Sequence, residues 1–239
     1  LQFHHFPGAV AVFDDDMRGY TGFEGHVAFD DLHASDAKRG FIRGGVVIEA
    51  NIFTHQPIMH SLALATPSTA WGAGLKDHMR DFSRTVHFAG ICEELPMESN
   101  RVELDPKIKD RLGLPVPRIT KTNHPNDVAM SHWFDKRLRE VAQAAGASKV
   151  MQQGIPGLDI KMDTPVTGAE HNHGTCRMGN DPNISVLDKW CRSHDVPNFW
   201  VADGSVMPTN GGYNPTLTIL ANAYRVADYF IKQAARQSL

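Results

Sequence analysis

The sequence predicts an α/β protein: an α+β domain built on an antiparallel sheet with flanking helices, followed by a smaller region of different pattern. Short apolar runs alternate with turn-forming residues over residues 1–60, which is typical of strands joined by turns. Two later segments, near 126–146 and 215–232, place apolar side chains at helical spacing. The pattern changes near Val166, and we therefore expect two domains, 1–165 and 166–239.

Six strands are predicted in the first domain, each bounded by turn residues. The run Ala9–Phe13 is followed by three aspartates, and the run at 45–50 begins at the second residue of a Gly-Gly pair. The prolines of Leu112–Pro117 indicate a stop before the last strand. Ser68–Phe82 is expected to be helical. The predicted strands are 9–13, 25–29, 45–50, 85–93, 101–104 and 118–121.

Two helices carry boundary signals. Asn126 and Asp127 provide a polar cap and an early acid for the first helix, and Gly146 suits its C-terminal end. A short strand at 199–202 is expected before the second helix. That helix is predicted to start at Pro215, with Asn214 as its cap, and to end near 232. Its expected core face consists of Leu217, Leu220, Ala223, Val226, Ala227, Phe230 and Ile231.

Composition and charge exclude several classes of function. The chain has 41% apolar and 21% charged residues, which suits a protein with a buried core. A net charge of -3 argues against a nucleic-acid surface, which needs a clustered basic stripe. No apolar run approaches the ~20 residues that cross a bilayer, so no transmembrane segment is expected. Three irregularly spaced cysteines fit a reducing compartment better than a disulfide framework; this favours the cytoplasm, although localisation stays open.

Three segments in the C-terminal third carry the most information about function. They are His171-Asn172-His173-Gly174-Thr175-Cys176-Arg177-Met178-Gly179, Asp203-Gly204-Ser205 and Tyr213-Asn214-Pro215-Thr216-Leu217-Thr218. In this order and spacing they resemble the C-terminal signature of the glucose-methanol-choline (GMC) flavoprotein oxidoreductases. Leu1-Gln2-Phe3-His4 and Glu94-Leu95-Pro96 resemble further phrases of that family. The resemblance covers nearly the whole chain, but only the second half of such an enzyme.

The resemblance implies a substrate-binding domain over 1–165 and the C-terminal part of an FAD-binding Rossmann-like domain over 166–239. The sequence contains no G-x-G-x-x-G turn, which in a dinucleotide-binding domain approaches the pyrophosphate. It also begins at Leu1 rather than at a methionine. We therefore expect the C-terminal portion of a longer polypeptide, whose missing N-terminal FAD-binding half acts as its partner. A genuinely separate subunit is the alternative.

The resemblance also assigns the residues of the site. Alcohol oxidation removes a proton from oxygen and a hydride from carbon, so the protein must supply a base. Histidine suits this role because its ordinary pKa of about 6.5 leaves the neutral form present near working pH. The base of the family maps onto His171, and its partner on the substrate oxygen maps onto Asn214. His173 is expected to bind substrate or to orient His171. The expected FAD contacts are Asp203, Gly204, Asn214, Pro215 and Thr216.

Each of these assignments has a plainer interpretation. His171 is also explained as a buried structural histidine, Asp203-Gly204 as an ordinary turn, and Asn214-Pro215 as the start of a core helix. His171, His173 and Cys176 offer the atom types that zinc prefers, but the paired spacings of zinc sites are absent nearby, and no metal is expected. His4 and His5 are expected to be structural or loop residues.

The expected reaction is FAD-dependent oxidation of a CH–OH group in a small alcohol or sugar, with a sugar, polyol or glycoside favoured. Two other functions stay open. A hydroxynitrile-type lyase would keep the flavin without net redox chemistry, and a non-catalytic accessory subunit would need a partner chain for cofactor. The candidate pocket residues in the first domain are Gln56, His60, Trp71 and His132.

Overall fold

The computed structural model describes residues 1–22, 27–50, 55–63, 69, 71–152 and 171–236. The chain divides into two units. The first combines Leu1–His4, Glu93–His124 and Gly168–Leu239, and the second combines His5–Cys92 and Pro125–Thr167. The expected domain boundary at 165/166 lies outside the described residues, and the assignment of 1–165 to substrate binding stays a prediction.

The described residues combine helices with antiparallel strands, which confirms the predicted mixed fold class. The strands are β1 (Gly8–Val12), β2 (Ala28–Phe29), β3 (Gly45–Glu49), β4 (Thr85–Cys92), β5 (Arg101–Lys109), β6 (Pro115–Thr120) and β7 (Lys149–Gln152). The helices are α1 (Pro57–Ala63), α2 (Gly72–Arg80), α3 (Pro125–Ala144) and α4 (Thr216–Ala235). Among the described residues, no helix is long and apolar enough to span a membrane.

The second unit is built on a five-stranded sheet in the order β2-β3-β4-β1-β7, with every neighbouring pair antiparallel. Three of its strands, β1, β3 and β4, coincide with predicted strands to within one residue at each end. The predicted strand at 25–29 is reduced to β2, and its first two residues lie outside the described ranges. The helix predicted at Ser68–Phe82 is described as the shorter α2, and α1 was not predicted.

Helix α3 packs on this sheet against β1, β4 and β7. Met130, Phe134 and Leu138, spaced four residues apart, are fully buried in the same core cluster as Ala9. Removing each of these large side chains from water stabilises the fold by roughly 1.5–3 kcal/mol. The helix approaches closely because β4 carries Gly90, where a β-carbon would lie 3.2 Å from the ring of Phe134.

The start of α3 differs from the prediction. Asn126 was expected to cap the helix, but Pro125 already occupies its first position, where a missing N–H costs nothing. The Asn126 side chain instead binds a neighbouring loop: it accepts a hydrogen bond from the Ile42 N–H at 2.9 Å and donates to the Ile42 carbonyl at 3.2 Å. The predicted C-terminal signal is confirmed, since Gly146 follows the helix with a φ of 89°.

The first unit contains the two-stranded sheet of β5 and β6. The stop predicted at Leu112–Pro117 was wrong, because β6 begins at Pro115 and Pro117 pairs with Leu104. A strand that pairs on one side only can accept prolines, since their missing N–H groups face away from the ladder. The strand predicted at 199–202 was also wrong: this stretch forms one isolated bridge, between Arg192 and Trp200.

Helix α4 is anchored in the first unit by a small apolar cluster. Leu187, Cys191, Val206 and Val226 are buried together, and only the last of these belongs to the helix. Most of the predicted core face of α4 was therefore wrong for the chain as it stands. The exposed members of that face are Leu217, Leu220, Ala227, Phe230 and Ile231.

Candidate active site

His171 lies in the first unit, in a loop whose backbone has an unusual conformation. Its φ is 61°, a left-handed value that costs a residue with a β-carbon roughly 1–2 kcal/mol. Strain of this kind clusters at functional sites, where the surrounding structure holds it in place. Gly174 follows with a φ of 82°, and a β-carbon there would lie 3.0 Å from the side-chain oxygen of Gln2. The loop is thus both strained and closely packed.

The N-terminal segment Leu1–His4 packs directly on this loop. The backbone N–H groups of Gln2 and His173 each donate to the other residue's carbonyl, both at 3.0 Å. This two-residue antiparallel bridge places His4 beside His171. The Leu-Gln-x-His phrase and the His-x-His-Gly-Thr phrase, far apart in the sequence, therefore meet in the fold.

Three histidines form a cluster at this point. The Nδ1 atoms of His4 and His171 lie 2.8 Å apart, and their rings meet edge to face with centroids 4.9 Å apart. The ring of His4 also contacts that of His173, at 5.8 Å between centroids. The Nδ1 of His173 donates to the carbonyl oxygen of His171 at 2.5 Å. His171 is half-buried, which differs from the plainer interpretation of a buried structural histidine. His4, which was expected to be a structural or loop residue, is fully buried, and His173 is buried as well.

Burial lowers the pKa of His173, and its hydrogen bond to the His171 carbonyl opposes that shift. The neutral imidazole is therefore favoured, with its proton on Nδ1, because a carbonyl can only accept. His173 consequently holds the backbone of the residue predicted to be the base. This geometry supports the orienting role over direct substrate contact.

A buried polar network fixes the Leu1–His4 segment. Glu94 accepts from the Phe3 N–H at 2.8 Å through its carboxylate and from the Gln2 side chain at 2.8 Å through its carbonyl. Asn210 bridges the two segments, because its side chain donates to the Phe3 carbonyl at 2.7 Å and accepts from the Glu94 N–H at 2.9 Å. Lys121 pairs with the Glu94 carboxylate at 2.8 Å. Asn210 and Lys121 were not predicted from the sequence.

Two of the C-terminal motifs, the His171 loop and the Asp203–Ser205 turn, pack together around Gly204, next to α4. The N–H groups of Cys176 and Met178 donate to the carbonyls of Ser205 and Val206, at 2.9 and 2.8 Å. A β-carbon at Gly204 would lie 2.6 Å from the carbonyl oxygen of Asn172 and 3.2 Å from Ile219 on α4. Only glycine fits this position, which provides a packing reason for the Asp-Gly turn beside any cofactor role.

Asp203 caps the 3₁₀ turn Gly204–Val206. Its carboxylate accepts from the N–H of Ser205 at 2.8 Å and from the Ser205 hydroxyl at 2.5 Å. The side chain itself is exposed. The carboxylate therefore shapes the turn, while the backbone of the turn packs against the loop of His171.

Asn214 and Thr216 lie exposed at the N-terminus of α4. The predicted cap was displaced by one residue: Pro215 is the N-cap, the helix begins at Thr216, and no side chain caps it. Asn214 makes no side-chain hydrogen bond to any residue that the structure describes, so it does not bind His171 directly. Their convergence on one substrate oxygen stays a prediction.

The candidate pocket residues of the second unit do not form one group. Trp71 is 86% exposed, and Gln56 and His132 are exposed as well. His60 is buried and stacks on His78, with ring centroids 4.3 Å apart. A shared pocket of these four side chains receives no support from their burial.

Comparisons with known proteins agree with the three motifs. A family model described as GMC oxidoreductase matches residues 96–223. The chain is 36% identical over 241 residues to 2-methyl-1,2-propanediol dehydrogenase of Mycolicibacterium austroafricanum, covering 96% of this chain and 41% of that protein. It is 29% identical over 204 residues to the gluconate 2-dehydrogenase flavoprotein of Pantoea cypripedii, covering 83% and 32% respectively.

A solved structure supports the fold. The crystal structure of pyridoxine 4-oxidase from Mesorbium loti matches with a TM-score of 0.56 and 16% identity, covering 97% of this chain and 43% of that one. At this identity the likeness concerns the fold alone.

The chain spans about two fifths of the propanediol dehydrogenase and about one third of the gluconate dehydrogenase flavoprotein. The family match covers just over half of the chain and includes all three C-terminal motifs. The chain therefore belongs to the GMC oxidoreductase family.

Proposed function

We propose that this chain forms part of an FAD-dependent oxidoreductase that oxidises a CH–OH group of a sugar, polyol or related small alcohol. The observation that carries the proposal is the histidine cluster. One half-buried histidine, His171, is held by two buried ones in a strained loop, and that loop packs on the turn of the Asp203–Ser205 motif. The names of the relatives, a propanediol dehydrogenase and a gluconate dehydrogenase, support hydroxyl-bearing substrates.

The chemistry divides between two side chains. His171 takes the proton of the substrate hydroxyl, and the amide of Asn214 donates a hydrogen bond to the same oxygen as negative charge develops there. The substrate loses one proton and one hydride and leaves as the carbonyl compound. His173 keeps the His171 backbone in place through its Nδ1 donor.

FAD, when bound, supplies the hydride acceptor. The residues present fit this cofactor. The N-terminus of α4 has no side-chain cap, so its backbone N–H groups and the positive end of the helix dipole are available to an electron-rich ring edge. Asn214, Pro215 and Thr216 would line that edge. Asp203 and Gly204 would offer the backbone of their turn to the cofactor chain.

The proposal includes a partner, the N-terminal FAD-binding half. Its support is the exposed apolar stripe of α4, formed by Leu217, Leu220, Tyr224 and Ile231, which are 81%, 50%, 79% and 66% exposed. Their spacing of three, four and seven residues places them along one side of the helix. Exposed stripes of this size are typical of surfaces that another part of a protein covers.

Anaerobic reduction of the flavin tests the proposal in the intact flavoprotein that contains this chain. His171→Ala should slow reduction by a diol or polyol by on the order of a hundredfold or more, because a positioned base is lost. His194→Ala is the matched control: this histidine lies in the same unit and binds the Ser185 hydroxyl at 3.0 Å. Equal reduction rates in the His171 variant and the control would refute the assignment.

The same preparation separates the two other functions. A lyase would hold flavin that no alcohol in the panel bleaches, while it would cleave a hydroxynitrile. An accessory subunit would purify without flavin and gain it only with a second chain. Bleaching by an alcohol with one bound flavin per chain supports the oxidoreductase.

A further inference from the structure

We infer that His4 is a positioning residue that sets the tautomer of His171, so that the base presents an unprotonated Nε2 to its substrate. The inference rests on the proposed function of His171 and deepens it. Its basis is the contact between the two Nδ1 atoms at 2.8 Å, a distance typical of a hydrogen bond.

This contact places a single hydrogen between the two Nδ1 atoms. Two neutral imidazoles can form this bond only if one Nδ1 carries a hydrogen and the other does not. In the first arrangement His171 donates, and its Nε2 is then unprotonated. In the second arrangement His4 donates, and His171 must carry its own hydrogen on Nε2. Only the first arrangement leaves a base in front of a substrate hydroxyl.

The surroundings hold His4 in the geometry that this bond needs. His4 is 0% exposed. The preceding residue, Phe3, donates its N–H to the Glu94 carboxylate and accepts from the Asn210 side chain at its carbonyl. The loop that carries His171 is hydrogen-bonded to the same segment through the Gln2–His173 bridge. The Nδ1 atoms are thus brought together by backbone contacts, not by a flexible surface pair.

The same bond favours the protonated base. When His171 has taken the substrate proton on Nε2, both of its ring nitrogens carry hydrogens, and Nδ1–H still donates to the neutral His4. Hydrogen bonds from a charged donor are roughly twice as strong as neutral ones. His4 therefore raises the basicity of His171 and keeps its ring from turning. No proton leaves for His4 at any step.

Two titratable neighbours of this pair are His173 and the Glu94–Lys121 ion pair. His173 contacts the ring of His4 and is held neutral by burial, since its pKa is lowered. Glu94, which binds the Leu1–His4 segment, pairs with Lys121 at 2.8 Å, and the Leu1 ammonium lies near enough to interact with both of them and with Arg177. The 2.8 Å contact between the two Nδ1 atoms acts on the His171 ring directly.

Two replacements of His4 test the inference in the intact flavoprotein. His4→Asn keeps an acceptor, because its side-chain oxygen falls near the position of the histidine Nδ1. His4→Leu has a comparable size and no acceptor. We expect anaerobic flavin reduction to slow by on the order of tenfold or more in His4→Leu and to stay close to wild type in His4→Asn, with substrate affinity changed little in either.

The pH profile distinguishes positioning from simple packing. In His4→Leu the pH at which reduction reaches half of its plateau should fall by about one unit, because the protonated base loses its acceptor. His4→Asn should keep the wild-type midpoint. Equal loss of rate in both variants with an unchanged midpoint would overturn the inference, and so would wild-type behaviour of His4→Leu.

A second readout does not need turnover. Diethyl pyrocarbonate modifies neutral histidines, and mass spectrometry of the peptide containing His171 gives its modification rate against pH. The midpoint of this curve should also be lower in His4→Leu than in His4→Asn; coincident curves would overturn the inference. If no alcohol reduces the wild-type flavin while this shift is present, the proposed function fails and the coupling of the two histidines stands. If His171→Ala abolishes reduction and the His4 variants show no shift, only the inference fails.

Discussion

His60 on α1 and His78 on α2 form a stacked pair whose burial makes the second unit sensitive to pH. Their rings lie 8° from parallel with centroids 4.3 Å apart. Each Nε2 donates to the other residue's backbone carbonyl, at 3.3 and 3.1 Å. Burial and, to a smaller extent, repulsion from His78 lower the pKa of His60 from 6.5 to about 4, against the opposing effects of its hydrogen bond to the His78 carbonyl and of Asp81.

The magnitude follows from proton linkage. Between about pH 6.5 and pH 4 the unfolded chain binds a proton at His60 that the folded chain does not, so the free energy of unfolding falls as the pH falls across this window. Each pH unit within this window changes the free energy of unfolding by about 1.4 kcal/mol. Above pH 6.5 the protonation of His60 does not reduce the free energy of unfolding. At pH 4 it reduces this free energy by roughly 3 kcal/mol.

Replacing His60 with leucine tests this reasoning. His60→Leu removes the titrating ring and leaves the His78 carbonyl without its donor, so it should cost about 1 kcal/mol at pH 7. Urea unfolding followed by far-UV circular dichroism from pH 7 to pH 4 should then show a shallower pH dependence than in the wild type. Ser61→Ala, on the same helix, changes no titratable group and should keep the wild-type slope. Parallel pH curves for wild type and His60→Leu would refute the account.

Two further replacements test the packing of the first unit. Gly204→Ala should lower the stability by roughly 1–3 kcal/mol, because its β-carbon would lie 2.6 Å from the Asn172 carbonyl oxygen, whereas Gly211→Ala has no atom within 4 Å and should leave the melting temperature unchanged. Lys121→Met should cost roughly 3–5 kcal/mol in urea unfolding, because it removes the cation that pairs with the buried Glu94 carboxylate at 2.8 Å; wild-type stability would contradict that value.

The sheet of the second unit was predictable because its central strands are buried on both faces. In β1 all five residues are buried, and such a strand appears in the sequence as an unbroken apolar run. Helix α1 was missed for the opposite reason. It has seven residues, and the Nε2 atom of its buried His60 bonds to the carbonyl of His78, 18 positions later on another helix. No local pattern encodes that partner.

The sequence likewise identified some residues of the candidate site and missed others. Order and spacing identified the loop of His171 and the start of α4 because those segments are continuous in sequence. The contact that fixes His171 involves His4, 167 positions away, and the anchor of that segment is Asn210, 207 positions from Phe3. A polar residue in a loop gives no periodic signal, so only the fold could reveal the partners.

Helix α4 exposes most of the apolar face that the sequence predicted to be buried. Its amphipathic pattern correctly identified an apolar face, yet of that face only Val226 is buried and Leu217 and Ile231 remain largely exposed. A 20-residue helix with such a face is unstable in water unless packing supports it. The pattern therefore describes the helix in its complete environment, and the exposed stripe marks the area that the proposed FAD-binding half would cover. The uncapped N-terminus of the same helix would then face the cofactor that this half holds, which joins the packing surface and the proposed chemistry in one element.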